Sequence, residues 1–180
     1  MSIFESTAEA QVEYLAFLQR FLDSEDGIIL AGALDAVEGP AILELSVWDP
    51  DAVFRLDLRE RTVTAGAAKD ATVRVGGTAD ELHNLLLDRL GPVEISRLIE
   101  ERNLILEGPP PALAALLLVA DSLHAHYAES LRERGRDDLL NTPLPILGEA
   151  WESAETPARR YGVRRPWQLS KREAAAASAS

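Results

Sequence analysis

Apolar residues recur along this chain in two different periods, one helical and one extended. Val12, Leu15, Leu18 and Leu22 fall on one helix face, with Tyr14, Phe17 and Phe21 beside them. Ser6 and Glu9 form a capping box in front of that face, so a helix is predicted from Ser6, ending near Asp23 to Gly27. Ile28 to Val37 is a short apolar segment whose type Gly27 and Gly32 leave open, and the run Asp35 to Pro40 turns the chain out of it. The period then changes. Ala41 to Trp48 is rich in aliphatic residues, and Val53 to Arg59 alternates. Phe54, Leu56 and Leu58 point one way while Arg55, Asp57 and Arg59 point the other, the mark of a strand with one dry and one wet face. Thr62 to Ala65 and Ala71 to Val75 continue the pattern, with short connections that predict antiparallel neighbours. Gly76-Gly77 reads as the stop of the last of these strands.

A second capping box, Thr78 and Glu81, opens a helix over 78–90 with Leu82, Leu85, Leu86 and Leu90 as its buried stripe. Pro92 starts a further helix over 92–102, apolar at Ile95, Leu98 and Ile99 and wet at Glu94, Arg97, Glu100 and Glu101. Leu104 to Leu106 is a short strand ended by Gly108, and three prolines lead into a helix over 110–127 that continues toward Arg134. The opening of that helix, Ala112 to Ala120, is apolar all round, which predicts burial or contact with a second apolar phase. Three leucine-rich helices and a sheet can close into a solid core or leave a cavity, and periodicity does not choose between the two. The all-round stretch favours the cavity, because it offers more apolar surface than one sheet can cover.

Charge narrows the partners. Thirty acidic residues against eighteen basic ones give a formal charge of −12 among 180 residues, which repels phosphate backbones and excludes nucleic acid. Residues 157–173 carry +5 and the remainder −17. The basic stretch 159–172, with Tyr161 and Trp167 interleaved, offers transient contact with an anionic membrane, although a solvated tail is the plainer reading. The chain divides into a domain over 1–134 and an extension over 135–180, the latter a short docking helix around Ile146, Leu147 and Trp151, then a largely disordered basic tail. No leader or long apolar run is visible, so the cytoplasm is expected, and sixteen arginines against two lysines are a composition associated with high-GC bacteria.

Catalytic chemistry is thinly represented. Cysteine is absent, which excludes disulfides and thiolate sites. The histidines are His83, His124 and His126; the last two are two apart on a helix and so do not face each other, while Asp121 and His124 form a local polar pair. No nucleophile elbow, phosphate loop or dinucleotide fingerprint is present. No catalytic residue, metal or cofactor is therefore expected.

The order of these elements resembles the sterol carrier protein 2 family over about Leu43 to Tyr127. Phe54-Arg-Leu-Asp-Leu looks like its central strand, Ala71-Thr-Val-Arg-Val with Gly-Gly-Thr-Ala-Asp-Glu-Leu like its strand-to-helix junction, and Leu104-Ile-Leu-Glu-Gly like its last strand. Arg61 stands where a hairpin glycine is usual, Pro109 replaces an acidic residue, and Arg102-Asn103 replace a glycine-lysine pair. The resemblance implies an α+β fold with a curved, mainly antiparallel sheet of about five strands covered by helices. Between them would run a tunnel for fatty acids, acyl-CoA esters, sterols or related lipids, without catalytic residues. By apolar phase, the tunnel positions are Phe54, Leu56 and Leu58 from the sheet and Leu86, Leu90, Ile95, Leu98 and Ile99 from the middle helices. Leu113, Leu116, Leu117 and Ala120 come from the closing helix. Other readings are a scaffold or dimerisation module whose groove is filled by protein, an accessory protein presenting a lipid to a partner enzyme of isoprenoid-quinone or steroid metabolism, and an enzyme using Asp121 and His124.

Overall fold

The computed structural model describes residues 2–141. Ser6 starts α1 (Thr7–Asp23): its hydroxyl accepts from the Glu9 amide, and the Glu9 carboxylate accepts in return from the amide of Glu5. Ser24 ends α1 and caps α2 (Glu25–Asp35) by accepting from the Gly27 amide. The turn between them is so tight that a Cβ on Gly27 would lie 2.5 Å from the Phe21 carbonyl oxygen. The apolar segment whose type the sequence leaves open is thus a helix, which buries Leu30 and Leu34.

Five strands form one sheet: β1 (Ile42–Trp48), β2 (Ala52–Asp57), β3 (Thr62–Ala65), β4 (Val73–Thr78) and β5 (Leu104–Glu107), in the order β3-β2-β1-β4-β5. Three of the four neighbouring pairs are antiparallel, and β1 with β4 is parallel. The expectation of antiparallel neighbours therefore fails at β4. The β2–β3 hairpin lies between β1 and β4 in the chain and supplies the length that a parallel connection needs. Nor do Gly76 and Gly77 stop β4. Both are in the ladders, opposite Ser46 and Val47 on β1 and Ile105 and Leu104 on β5. A Cβ on Gly77 would sit about 3.4 Å from both Leu82 and Leu104, so the missing side chain lets a helix and an edge strand close on the sheet there.

One face of the sheet is charged. Glu44 stands between Arg55 and Arg74 across the ladders, lies 3.6 Å from Arg74, and accepts from the Ala68 amide at 2.6 Å. The other face carries Leu43, Leu45, Phe54, Leu56, Val73 and Val75 and is covered by helices.

Those helices are α1, α2, α3 (Ala79–Leu86), α4 (Pro92–Glu100), α5 (Pro110–Leu118) and α6 (Ala120–Glu133), with a short α7 (Asp137–Asn141) behind α6. Thr78 caps α3 through the Glu81 amide, and Pro92 opens α4. The single helix predicted over 110–127 is two helices, broken at Val119, whose amide turns back to the Leu116 carbonyl. The all-round apolar stretch is also not wholly buried, since Leu117 and Leu118 are 73% and 76% exposed.

Two sets of contacts fasten the helices. Tyr14 of α1 stacks on Tyr127 of α6 at 6.4 Å between ring centres and meets Phe54 of β2 at 5.7 Å; Phe17 meets Tyr127 edge-on at 5.1 Å. Alongside them, Arg134 reaches the buried Glu13 at 2.7 Å and Arg136 reaches Glu9 at 2.8 Å. Residues 135–141, assigned in sequence to the extension, thereby pack on the body. The docking helix expected around Ile146, Leu147 and Trp151 and the basic stretch 159–172 lie outside the described residues.

His83 is wholly buried between α3, α6 and α7. Its Nε2 is 3.0 Å from the Leu139 carbonyl oxygen, which can only accept, so Nε2 carries the proton and Nδ1 accepts from the Tyr127 hydroxyl at 2.7 Å. Burial, helped by the charge of Arg89, lowers its pKa to about 4. An unfolded chain, with a histidine pKa of about 6.5, binds the proton between these two values and the folded one does not. Stability is therefore complete above pH 6.5 and falls as the pH drops toward 4, by up to about 3 kcal/mol from this residue. Urea titrations across that range should show the loss, and His83→Gln should flatten it.

Arg61 and Arg102 both occupy left-handed backbone, at φ 54° and 60°, at the two sites where the family resemblance leads one to expect glycine. Arg61 is held there by a 2.8 Å bond from its Nε to the Leu22 carbonyl. Arg102 is exposed, and Arg102→Gly should raise stability by about 1 kcal/mol, read as a higher urea midpoint at unchanged slope.

Candidate functional site

The ladder registers put the apolar side chains of the sheet into two cross-strand rows. One runs Phe54, Leu45, Val75, Leu106 across β2, β1, β4 and β5; the other runs Leu56, Leu43, Val73. Above the β1–β4–β5 part of these rows the helices do not come down to contact, and a cavity of about 200 Å³ remains. Its floor is Leu43, Leu45, Leu56, Val75 and the strand β5. Phe17, Leu18 and Phe21 of α1 and Leu30 of α2 form one wall; Leu82, Leu85 and Leu86 of α3 and Ile95 of α4 form another. Leu113, Leu116 and Leu117 of α5 and Ala120, Leu123 and His124 of α6 close the remaining side. The cavity is partly open, and Leu117, which both lines it and is mostly exposed, marks the mouth.

Seven of the twelve positions named from apolar phase line this space: Leu56, Leu86, Ile95, Leu113, Leu116, Leu117 and Ala120. Five do not, each for a local reason. Phe54 heads a floor row but is covered by Tyr14, so α1 touches the sheet there and no gap is left. Leu58 lies beyond the end of β2, its amide bonded to the Ala41 carbonyl, and is buried at the margin of the sheet. Leu90 falls past the end of α3 and is buried in the turn before α4. Leu98 is the buried residue of α4, a helix packed on β5, while Ile99 turns outward and is 38% exposed.

The walls from α1, α2 and β1 were not assigned to the tunnel in sequence. Phe17, Leu18 and Phe21 are visible as a helix face, but a period cannot say whether that face meets side chains or empty space. The registers of β1 with β2 and β4 are needed to bring Leu43 and Leu45 beneath them.

His124 is the sole lining residue with a polar side chain. Its Nδ1 is 3.3 Å from an oxygen of Asp88, and burial lowers its pKa while the charge of Asp121 works the other way. The pairing expected with Asp121 is thus not the close contact; Asp88, in left-handed backbone after α3, takes that place. His126 points instead toward Phe21 and Asp26. Among the described residues no group of three or more His, Cys, Asp or Glu side chains is placed to hold a metal ion, and no helix is long and apolar enough to cross a membrane.

A five-stranded mixed sheet, charged on one face and roofed by helices on the other, is an α+β arrangement, the class that the resemblance in the sequence implies. A conserved hypothetical protein of Thermus thermophilus is similar at 24% identity over 72% of this chain and 92% of its own, with a TM-score of 0.46. Sterol carrier protein 2 from Yarrowia lipolytica, in its apo form, is similar at 14% identity over 69% and 94%, with a TM-score of 0.44. The ubiquinone synthesis protein UbiJ-SCP2 is similar at 23% identity over 69% and 98%, with a TM-score of 0.42. No family model matches the chain, and no curated protein matches it. These likenesses concern the fold alone; the cavity and its rim are what bear on function.

The cavity has a direct test. Ala120 has a small side chain on its lining. Ala120→Leu should fill empty space and raise stability by about 0.5–1 kcal/mol in urea denaturation. A solid interior would instead lose about 1–3 kcal/mol to overpacking.

Proposed function

We propose that this protein binds an apolar lipid in the cavity between the sheet and its helices and holds it without reacting with it. The observation that carries this reading is the lining: twenty of its twenty-one residues offer the guest only carbon. Such a space has nothing to gain from water, whereas a guest hydrocarbon gains about 0.8 kcal/mol for each methylene it brings out of water. Apart from His124, which stands beside Asp88, the lining gives no group for proton transfer, and it gives no nucleophile beside a base, which supports a carrier over an enzyme.

The cavity is smaller than the roughly 300–1,000 Å³ usual for small-molecule sites, so a long chain fits in part. The rest of it leaves past Leu117, or α5 moves outward to lengthen the space. The break at Val119 separates α5 from α6 and leaves α5 without the ion pairs that hold α6 to α1. A site of this kind selects by length and girth and separates homologous chains weakly.

The test is displacement of the neutral dye Nile red from delipidated full-length protein by straight-chain alcohols of rising length. Affinity should increase about fourfold per added methylene and then level off once the chain reaches the mouth. Ala120→Leu should bring that plateau at a shorter chain. Absence of binding across the series would end the proposal.

A further inference from the structure

Four large apolar side chains stand exposed on the helices around the mouth of the cavity. Leu117 and Leu118 end α5, and Ile28 and Ile29, each more than half exposed, belong to the first half of α2. α5 packs on α2, and the Ser122 hydroxyl of α6 donates to the Asp26 carboxylate, so the four stand on neighbouring helix segments. Leu117 also lines the cavity, which joins this apolar surface to the interior. An exposed apolar patch with polar residues at its border marks a contact surface.

The charged residues of these segments are of one sign. Glu25 and Asp26 open α2 and Asp121 stands in the first turn of α6, whereas residues 25–35 and 110–131 contain no lysine or arginine. A second copy set there about a twofold axis would bring these carboxylates against themselves, and an anionic bilayer would be repelled in the same way. The chain itself carries the complement. In residues 159–172, six lysines and arginines are interleaved with Tyr161, Val163, Trp167 and Leu169, and no acidic residue interrupts them. The way to the patch is short. The described residues end at Asn141, where the neighbouring Leu140 carbonyl accepts from Arg89 at 2.8 Å, just past the cavity wall α3. Asp88, one residue before Arg89, meets His124, and the helical path from His124 back to Leu118 is about 9 Å. Residues 142–158 span up to about 56 Å when extended, so the basic stretch meets the patch at an effective concentration on the order of millimolar.

We infer that residues 159–172 of this chain dock on its own acidic, apolar patch, the aromatic side chains on Ile28, Ile29 and Leu118 and the cations against Glu25, Asp26 and Asp121. The contact stands apart from the lipid-binding reading, but its consequence rests on that reading. A segment seated over Leu117 and a guest that enters past Leu117 exclude one another, so the docked segment competes with the guest.

The chain has no cysteine, so Ser170→Cys gives one site for a nitroxide label in the full-length protein. In nitrogen-15 spectra the label should erase the amide signals of Leu118 and Ile29 and spare that of Thr64 on the edge strand β3. Arg164→Glu combined with Arg165→Glu should restore the lost signals. So should 1 M sodium chloride, which shortens the screening length to about 3 Å. Nile red supplies the second readout. If the segment covers the mouth in about four molecules of five, the doubly reversed variant should bind the dye about fivefold more tightly than the unaltered chain. Leu118 and Ile29 signals that survive the label overturn the contact. Signals lost only when labelled protein is mixed with unlabelled nitrogen-15 protein overturn it in favour of a second copy. Loss of those signals on adding phosphatidylcholine vesicles, with none lost to the label beforehand, overturns it in favour of a membrane. Selective loss with equal dye affinity in both proteins overturns the competition. Failure of the dye to bind either protein falls on the lipid-binding reading, and the label then decides the contact alone.

Discussion

The aromatic contact between α1, α6 and the sheet is the constraint on which the interior depends. Tyr14 rests on Phe54 and stacks against Tyr127, so at that end of the sheet three large rings fix how closely α1 can approach. A helix is stiff, and a spacing set at one point is carried along its length. Toward Phe21 the floor of the cavity consists of smaller aliphatic side chains, Leu43, Leu45 and Val75. Polar ties outside the core keep the roof in place: Glu13 and Glu9 of α1 are held by Arg134 and Arg136, and Arg20 by Glu133.

Much of this fold is legible in sequence because it is written in local terms. Capping residues Ser6 and Thr78, the alternation over Val53 to Arg59, and Pro92 at a helix start each act within a few residues, and each does in the structure what its chemistry predicts. What is lost is what depends on distant partners. Gly76-Gly77 looks like a stop until one sees Leu82 and Leu104 closing on it. The parallel pairing of β1 with β4 has no local signature, because the hairpin that makes it possible reads as two ordinary strands.

The cavity shows the same limit more sharply. Apolar phase finds residues that face inward, and seven of those named do surround the space. It cannot distinguish Leu86, which faces the gap, from Leu98, which is buried beside β5, since both are leucines on the inward side of a short helix. Phe54 is the instructive case. It belongs to the same cross-strand row as Leu45 and Val75, and only Tyr14 from α1 removes it from the cavity. His124 was visible in sequence with Asp121 three residues away; its closer neighbour Asp88 comes from another helix end, and no spacing rule reaches that far.

The parallel β1–β4 ladder also bears on how the chain assembles. Its two strands are separated by the whole β2–β3 hairpin, so the ladder is a non-local closure and carries the entropy cost of a long loop. A hairpin formed beforehand shortens the effective loop and lays β1 against β2, presenting β4 with a finished edge. Formation of this ladder is thereby tied to a two-stranded unit that contributes only Leu56 to the cavity floor, so changes in that hairpin bear on folding kinetics more than on the cavity.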